Sequence, residues 1–343
     1  MAEPGQPHPA NIGWAQRSRP DGRHPPRLIL FGPGGGPPTQ EDVPLEGVRA
    51  RLDSSKSFLF GDFQSPTEEE LEALSRELSL HPLAVEDVRH RHQRPKIDVY
   101  PDHYFLVAYR IGYPEGRLRL DEVDAFIGPN FLIVAHDGDV TLLNEVLDRF
   151  CRQNGVHDVS GLLYEILDAL VDEYFPLLDT LAERTEAIES AVFEKFDAGR
   201  LADLLQLKKD LSLLRRVIAP ERDSVNVLLR RDPPVLDAAR VFYFQDVYDH
   251  LIRITDSIDT YRDLLTGSLD AFLSVENNRL SEVVRRLTVI STIFLPLTFI
   301  TGFFGMNFAR LAGAGDRLFL ASIVSMVVLP VFMLWLIRRQ SLR

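Results

Sequence analysis

The stretch FITGFFGMNF, residues 299–308, closes a long uncharged run near the end of the 343-residue chain. Two such runs end the chain: residues 287–309 and residues 318–337 contain no Asp, Glu, Lys or Arg. Each run is close to the ~20 apolar residues that a helix needs to cross a bilayer. The sequence therefore predicts transmembrane helices at about 287–306 and 318–337. Two buried core helices are the alternative interpretation.

Basic residues flank the two predicted spans on their outer sides. Two precede the first span and three follow the second: Arg285, Arg286, Arg338, Arg339 and Arg343. Because basic residues concentrate on the cytoplasmic side of a membrane, both termini are expected in the cytoplasm. The opening residues MAEPGQPHPANIG lack the apolar segment of a signal peptide, which favours a cytoplasmic N-terminal body. We therefore expect a multi-pass protein of the inner or plasma membrane.

The composition limits the classes of function. The formal net charge is −12, which argues against nucleic acid as a partner because its binders concentrate Lys and Arg. The single cysteine, Cys151, excludes a disulfide framework within the chain and any multi-cysteine metal site. The sequence contains no GxxxxGK[ST], GxSxG, HExxH or dinucleotide fingerprint. The sequence thus predicts neither an enzyme nor a nucleotide-driven motor, and it implies no cofactor.

The N-terminal half is predicted to hold a leader and one folded domain. Residues 1–44 are rich in Pro and Gly and predict a disordered leader, although RLILF at 27–31 is compatible with a strand. Residues 45–157 mix strand and helix patterns and predict a cytoplasmic α/β domain. Its strands are expected at 57–63, 103–111, 122–128 and 130–136, with a hairpin turn at 128–130, and its helices at EEELEALSRELSL and TLLNEVLDRFCRQ.

The C-terminal half reads as helical throughout. Residues 158–233 predict an antiparallel helical pair with its turn near Asp197, and 235–306 predict one stalk helix that continues into the first span. Residues 307–317 would form an external loop and 338–343 a cytoplasmic tail. Apolar residues recur along the stalk at heptad-like spacing: Leu251, Ile254, Ile258, Tyr261, Leu265, Phe272 and Val275. Such a seam predicts association with copies of the chain or with other helices.

One face of the first span differs from the others. Its members follow at helical spacings of three and four: Ser281, Val284, Leu287, Ser291, Leu295, Thr298, Gly302 and Gly305. We call this face the stripe. Small residues in membrane helices often serve close helix packing. The alternative is that the stripe lines a pore. Two spans cannot enclose a pore, so the second interpretation requires a homo-oligomer in which each chain contributes one helix.

The segment LTVISTIFLPLTFITGFFGMNF, 287–308, resembles the CorA-type magnesium channel family. Its hallmark is Gly-Met-Asn at the end of the first of two C-terminal spans, here Gly305-Met306-Asn307. Four upstream segments resemble the family in the same order: HPLAVEDV (81–88), HQRPKIDVYPDHYFLV (92–107), LLYEILDALVDEYF (162–175) and FQDVYDHLIRITDSIDTYRDLL (244–265). The resemblance implies a funnel-shaped homopentamer with an α+β cytoplasmic domain, a long stalk helix and two C-terminal transmembrane helices.

The resemblance also implies roles for the stripe. Asn307, with Gly305 and Met306, would form an external ring, where neutral amide oxygens hold hydrated Mg²⁺ through its water shell. Thr298 matches a second polar ring, and Leu287 and Leu295 match positions of apolar constriction. Ser291 lies on the same face between those two leucines. Mg²⁺ would be both the substrate and a regulator, and the partners are other copies of the chain, the bilayer and divalent cations.

Regulation is implied at four carboxylates. Asp87 and Asp246 match a pair that binds divalent ions between neighbouring subunits and holds the channel closed. Glu86 and Asp172 lie in segments that match a neighbouring site. The physical reason would be mutual repulsion of carboxylates, which a bridging Mg²⁺ relieves. Ordinary surface charge is the alternative interpretation.

The sequence departs from the family pattern at two places. The chain reads ARLAGAGDRL where the family usually carries an acidic external loop, and Ser281 stands where the family often has asparagine. A transporter for Zn²⁺, Co²⁺ or Ni²⁺ within the same superfamily, with or without proton coupling, therefore remains an alternative. Four histidines could suggest zinc, although their spacing matches no known ligand set: His81, His90, His92 and His103. A membrane-tethered assembly without conduction is the alternative outside transport.

Overall fold

The computed structural model describes residues 25–32, 38–54, 57–138, 141–152, 158–192, 198–230, 240–305 and 315–340. The chain divides into two compact units, Met1–Thr266 and Gly267–Arg343. The first unit combines a mixed sheet with helices, and the second is helical throughout the residues that are described.

A seven-stranded sheet forms the centre of the first unit. Its strands are β1 (Arg27–Phe31), β2 (Pro38–Gln40), β3 (Phe58–Gln64), β4 (Lys96–Val99), β5 (Tyr104–Gly112), β6 (Arg119–Ile127) and β7 (Phe131–His136). The strand order is β2-β1-β3-β7-β6-β5-β4, and only the β3–β7 pair is parallel. Four helices are interspersed with these strands: α1 (Val48–Ser54), α2 (Glu68–Leu78), α3 (Pro82–His90) and α4 (Thr141–Arg152).

The predicted hairpin between β6 and β7 is confirmed. The Gly128 N–H donates to the carbonyl of Phe131 at 2.8 Å, which closes the turn. A Cβ atom on Gly128 would lie 2.2 Å from the Phe131 ring, so a larger residue would have to displace that ring. Glycine permits this close approach because it carries no side chain.

Ordered structure begins earlier than the sequence predicts. β1 and β2 lie inside the segment 1–44 that was expected to be a disordered leader, and β1 pairs with β3 along its whole length. The side chains of Ile29 and Phe31 are almost wholly buried. The prediction of a disordered leader is therefore wrong for these residues, whereas the strand that the sequence allowed at 27–31 is present; β2 was not anticipated, because the Pro and Gly content around it obscures a short strand. Residues 1–24 and 33–37 lie outside the described residues.

Three helices follow the sheet in the first unit. They are α5 (Val159–Asp172), α6 (Tyr174–Val192) and α7 (Ala198–Arg230). The sequence predicts one helix over 161–196, but the structure divides it at Glu173. Pro176 explains the new start, since proline lacks the N–H of a helix interior and is tolerated in a first turn. The predicted turn near Asp197 falls on 193–197, outside the described residues.

The long helix α8 (Val241–Gly305) contributes residues to both units. It confirms the predicted continuity of the stalk with the first span, while residues 231–239 lie outside the described part of the chain. Its heptad-like seam is already covered within one chain: Leu251, Ile254, Ile258 and Leu265 are buried. This part of the seam therefore packs on helices of its own chain and gives no evidence for association between copies.

The second unit holds the apolar helices. Among the described residues, one helix is long and apolar enough to cross a membrane, Val241–Phe303, and a shorter apolar segment covers Ile323–Met333. The latter belongs to α9 (Gly315–Gln340), which contains the predicted second span. α9 begins inside the segment that was predicted as an external loop, so that loop is at least three residues shorter than expected.

Candidate functional site

The stripe on α8 is uncovered in the single chain. Leu287 is 62% exposed and Leu295 is 73% exposed, which is unusual for large apolar side chains. Val284, Ser281 and Ser291 are exposed as well. A face of this kind needs lipid or another protein surface to cover it.

Hydroxyl groups along this helix donate back to their own backbone. The Thr298 Oγ1 donates to the carbonyl of Phe294 at 2.8 Å, and the Thr301 Oγ1 donates to the carbonyl of Thr298 at 3.0 Å. A hydroxyl has one hydrogen and two lone pairs, so these groups have used their hydrogen. The remaining lone pairs of Thr298 can accept hydrogen bonds from the water shell of a cation.

Glycine at the outer part of the stripe is not required by contacts within the chain. A Cβ atom on Gly302 would meet no heavy atom within 4 Å. Gly305 is the last residue of α8, and Met306 and Asn307 lie outside the described residues. The position of the expected external ring therefore follows from the sequence alone, in which Met306 and Asn307 come directly after the last residue of the helix that carries the stripe.

A second group of polar residues lies in the first unit, where α5 meets α8. One ligand atom each from Asp168, Asp172 and His250 lies within 4.8 Å of the others, close enough to hold a metal ion. We call these three residues the acidic cluster. Among the residues that the structure describes, this is the one group of three that meets this criterion. The sequence predicted Asp172 and missed the other two.

Repulsion between carboxylates is visible in the pKa values at this cluster. Burial raises the pKa of Asp168, and the charges of Asp172 and Glu165 raise it further. Burial, followed by the charges of Asp168 and its acidic neighbours, raises the pKa of Tyr164 to about 12. Negative charge is therefore costly here, and a divalent cation would relieve that cost.

The other predicted metal residues lie outside the cluster. Asp246 is 62% exposed at its side chain and lies 3.9 Å from the Nε2 of His250, one helical turn away. Asp87 on α3 instead binds Lys96, with 2.7 Å between Oδ2 and Nζ, and Glu86 is exposed. The structure thus groups Asp172 with new residues and does not place Asp87 or Glu86 among them.

The ammonium group of Lys96 would compete with a metal cation for the carboxylate of Asp87, and sequence analysis did not identify this contact. Its Nζ also lies 2.6 Å from Asp98. Burial lowers the pKa of Lys96, but its hydrogen bonds to Asp87 and Asp98 outweigh burial and raise the pKa. The ammonium group therefore stays charged, and a cation that approaches Asp87 has to displace it or share its carboxylate.

The histidines that could suggest zinc have other partners. The Nδ1 of His81 accepts the Leu83 N–H at the start of α3, and the Nε2 of His103 accepts the His81 N–H at 3.4 Å. Burial, followed by the charge of His81, lowers the pKa of His103 to about 4. The Nδ1 of His90 lies 3.0 Å from the Glu86 carbonyl. Neither these three nor His92 belongs to a metal-capable group among the described residues.

The sequence matches known metal transporters. The model of the family described as CorA-like Mg²⁺ transporter protein matches residues 55–339. The cobalt/magnesium transport protein CorA of Thermotoga maritima is 36% identical over 234 residues, which cover 67% of each chain. The protein of the same name from Methanocaldococcus jannaschii is 26% identical over 288 residues, which cover 82% of this chain and 90% of the relative.

The fold matches a solved structure over nearly the whole chain. The complete structure of the CorA magnesium transporter from Methanocaldococcus jannaschii superposes with a TM-score of 0.72 at 23% identity. The match covers 91% of this chain and 97% of that one. The α+β domain, the long helix and the C-terminal helices therefore follow the arrangement of that fold.

Proposed function

This chain belongs to the CorA-like Mg²⁺ transporter family, and on that premise we propose that it admits Mg²⁺ to the cell through a pore built by several copies of the chain. It is a membrane transporter of divalent metal ions and not an enzyme. The observation that carries the proposal is the exposed stripe on α8, which leads toward Gly305-Met306-Asn307.

The pore requires several copies, and a homopentamer is the arrangement that the family resemblance implies. In that assembly the stripe faces the axis, with Asn307 at the outer mouth and Thr298 below it. Leu295 and Leu287 would narrow the lumen with apolar side chains, which can close a pore by excluding water. Exposure is shared by other faces of α8, where Ile290, Phe294 and Phe299 are also exposed, so the small and hydroxylated residues of the stripe are what favour it as the lumen face.

The membrane potential is a sufficient driving force. Moving one charge across 100 mV is worth ~2.3 kcal/mol, so a divalent ion gains about 4.6 kcal/mol. That free energy corresponds to roughly three orders of magnitude in concentration ratio. With both termini in the cytoplasm, an inside-negative potential draws Mg²⁺ inward without a nucleotide.

The test is uptake into proteoliposomes that contain the purified full-length protein and a Mg²⁺-sensitive dye. An imposed inside-negative potential should increase Mg²⁺ entry, and an added pH gradient should not increase it further. Zn²⁺, Co²⁺ and Ni²⁺ are measured in parallel. Zn²⁺ entry that requires a proton gradient, without Mg²⁺ entry, would overturn the proposal and direct attention to Ser281 and the ARLAGAGDRL loop.

For regulation, we propose that cytoplasmic Mg²⁺ closes the pore by bridging carboxylates, including Asp246 and Asp87 across a subunit boundary. The acidic cluster supports a cation in this region, since Asp172 lies within reach of Asp168 and His250. When Mg²⁺ falls, the carboxylates would repel one another and the closed arrangement would lose stability. Lys96 would weaken the contribution of Asp87, because it already neutralises that carboxylate.

Asp246→Lys should therefore raise the Mg²⁺ concentration needed to protect the protein from limited proteolysis by about tenfold, equivalent to about 1.4 kcal/mol. The exposed carboxylate becomes a cation that repels the ion. The matched control is Asp263→Lys, which makes the same charge change at another exposed position of α8. Equal Mg²⁺ dependence in both variants would show that Asp246 is ordinary surface charge.

A further inference from the structure

Glu221 is a carboxyl group inside the apolar core of the first unit. It belongs to α7 and is 5% exposed. It borders a small cavity whose other walls are almost entirely apolar: Leu106, Ala108, Leu167, Leu170, Val171, Tyr174, Val225, Val247 and Leu251. These residues come from β5, α5, α6, α7 and α8. A buried carboxylate in such surroundings would need a strong partner.

Glu221 and Tyr174 both bind the backbone of one residue on β5. The Tyr109 N–H donates to the Oε1 of Glu221 at 2.6 Å, and the Tyr174 hydroxyl donates to the Tyr109 carbonyl. The Oε2 of Glu221 lies 3.0 Å from the Tyr174 hydroxyl oxygen. Strand β4 pairs with β5 only as far as Val107, so these side chains cover backbone groups that β4 leaves unpaired.

The count of hydrogens determines the protonation state. The Tyr174 hydroxyl has one hydrogen and faces two acceptors, the Tyr109 carbonyl and the Oε2 of Glu221, and the carbonyl, which can only accept, is the nearer of the two. The contact between Tyr174 and Glu221 then has lone pairs on both oxygens unless Glu221 supplies a hydrogen. We propose that Glu221 is a neutral carboxylic acid that donates this hydrogen to Tyr174, and that the resulting ring of three hydrogen bonds is a proton-dependent latch between β5, α6 and α7.

The charges around the latch agree with this assignment. Burial raises the pKa of Glu221 to about 8, although its contacts with the Tyr109 N–H and with the Tyr174 hydroxyl act in the opposite direction. The cavity residues of α5 and α8 are apolar. The charge of Glu173 raises the pKa of Tyr174, but Glu173 is neutralised by Arg110, with 2.8 Å between the Arg110 Nε and the Glu173 Oε2.

The hydroxyl of Tyr109 lies 2.6 Å from the Gln93 carbonyl oxygen and 2.9 Å from the Oε2 of Glu122, and Asp124 adds further negative charge on that side. In the described part of the chain, no cationic side chain bonds to Glu221, so a negative charge there would be stabilised only by hydrogen bonds from neutral groups.

Loss of the proton would open the latch. The Tyr174 hydroxyl would then have to choose between the Tyr109 carbonyl and the Glu221 carboxylate with its single hydrogen, so one hydrogen bond of the ring is lost and the buried charge would require water. The adjoining cavity is where water can enter, and Val247 and Leu251 of α8 form part of its wall. Alkaline pH should therefore loosen the packing of α7 and α8 against the sheet.

Infrared difference spectroscopy of the full-length protein in detergent tests the protonation state. The spectrum of the wild type minus that of Glu221→Gln at pH 6.5 should contain the carbonyl stretch of a carboxylic acid. This band should disappear as the pH is raised, with a midpoint near the Glu221 pKa of about 8. The control Glu173→Gln should leave that band in place. A carboxylate band in the difference spectrum at pH 6.5 would overturn the proposal. If Glu221→Gln does not fold, Tyr174→Phe serves instead, and it should shift the acid band to that of an unbonded acid.

The second measurement is the free energy of unfolding as a function of pH, and the raised pKa of Glu221 determines the direction in which it changes. Because the pKa of Glu221 is raised in the folded state, the contribution of this group to stability is fully present below its ordinary pKa of 4.5. That contribution is lost as the pH rises through about 8. The unfolding constant of the wild type should grow by up to about tenfold per pH unit in this window, relative to Glu221→Gln. The amide can make the same hydrogen bonds without titrating. Parallel curves for the two proteins would overturn the latch.

Discussion

Replacing Asn307 with alanine is expected to lower potential-driven Mg²⁺ uptake at least about tenfold, equivalent to about 1.4 kcal/mol in the barrier to entry. The amide oxygens of Asn307 are proposed to accept hydrogen bonds from the water shell of the arriving ion. Mg²⁺ gives up water reluctantly, so a site that holds the hydrated ion lowers the barrier without the cost of dehydration. Alanine removes these acceptors, and proteoliposome uptake measures the loss.

The chemistry of the amide matters as well as its position. Asn307→Asp should bind the cation more tightly and release it more slowly, because conduction requires weak binding. This variant should therefore also conduct less than the wild type, with an uptake rate that saturates at lower Mg²⁺. Asn307→Gln keeps the neutral amide and should retain more activity than either variant.

The matched control is Asn226→Ala, which removes the same side chain from a half-buried position in α7. It should keep wild-type uptake. All variants should elute at the same size in detergent, since the prediction concerns ion flux and not assembly. Wild-type uptake by Asn307→Ala would contradict the proposed ring and would leave the stripe as a helix-packing face.

Much of the fold follows from local sequence patterns. The strands β3, β5, β6 and β7 each contain a short run rich in apolar and β-branched residues, and Gly128-Pro129-Asn130 is typical of a turn, so these strands could be predicted. The edge strands β2 and β4 could not, because each is defined by its neighbour in the sheet, while β1 was indicated only as a possible strand at 27–31. The division at Glu173 could have been predicted from Pro176, which lies three residues later.

The candidate site was predictable where it depends on one helix. The stripe follows from helical periodicity alone, and the structure leaves it uncovered. The acidic cluster depends on two helices, and the sequence analysis found only Asp172. Asp168 lies one turn from Asp172, and His250 one turn from Asp246, so helical spacing could have suggested both. The ion pair of Asp87 with Lys96 joins α3 to β4, and no local pattern indicates it.

The buried ion group at the sheet should have the largest effect on stability. Asp62 on β3 lies 2.5 Å from Arg27 and 2.9 Å from the Nε2 of His136, and the Nδ1 of His136 lies 2.7 Å from the Gly138 carbonyl. Asp62→Ala removes the carboxylate partner of the buried His136 and one partner of the half-buried Arg27. The expected loss is about 3–5 kcal/mol in the free energy of unfolding. Thermal unfolding of the full-length protein, followed by circular dichroism, should show a midpoint lowered by roughly 10 °C.

The pH dependence distinguishes loss of the charge from loss of packing. Burial raises the pKa of Asp62, but the contacts with His136 and Arg27 outweigh burial and lower the pKa below its usual value of 3.8. The stabilisation is therefore present above 3.8 and disappears as the pH falls through the lower folded-state value. Asp98→Ala is the control, since Asp98 pairs with Lys96 at a more exposed place and should cost at most about 1 kcal/mol. If Asp62→Ala and Asp98→Ala unfold at the same temperature near pH 7, the buried group contributes no more than a surface pair. If Asp62→Ala remains less stable than the wild type by the same margin at a pH low enough to protonate this carboxyl in the folded wild type, its cost arises from packing and not from charge.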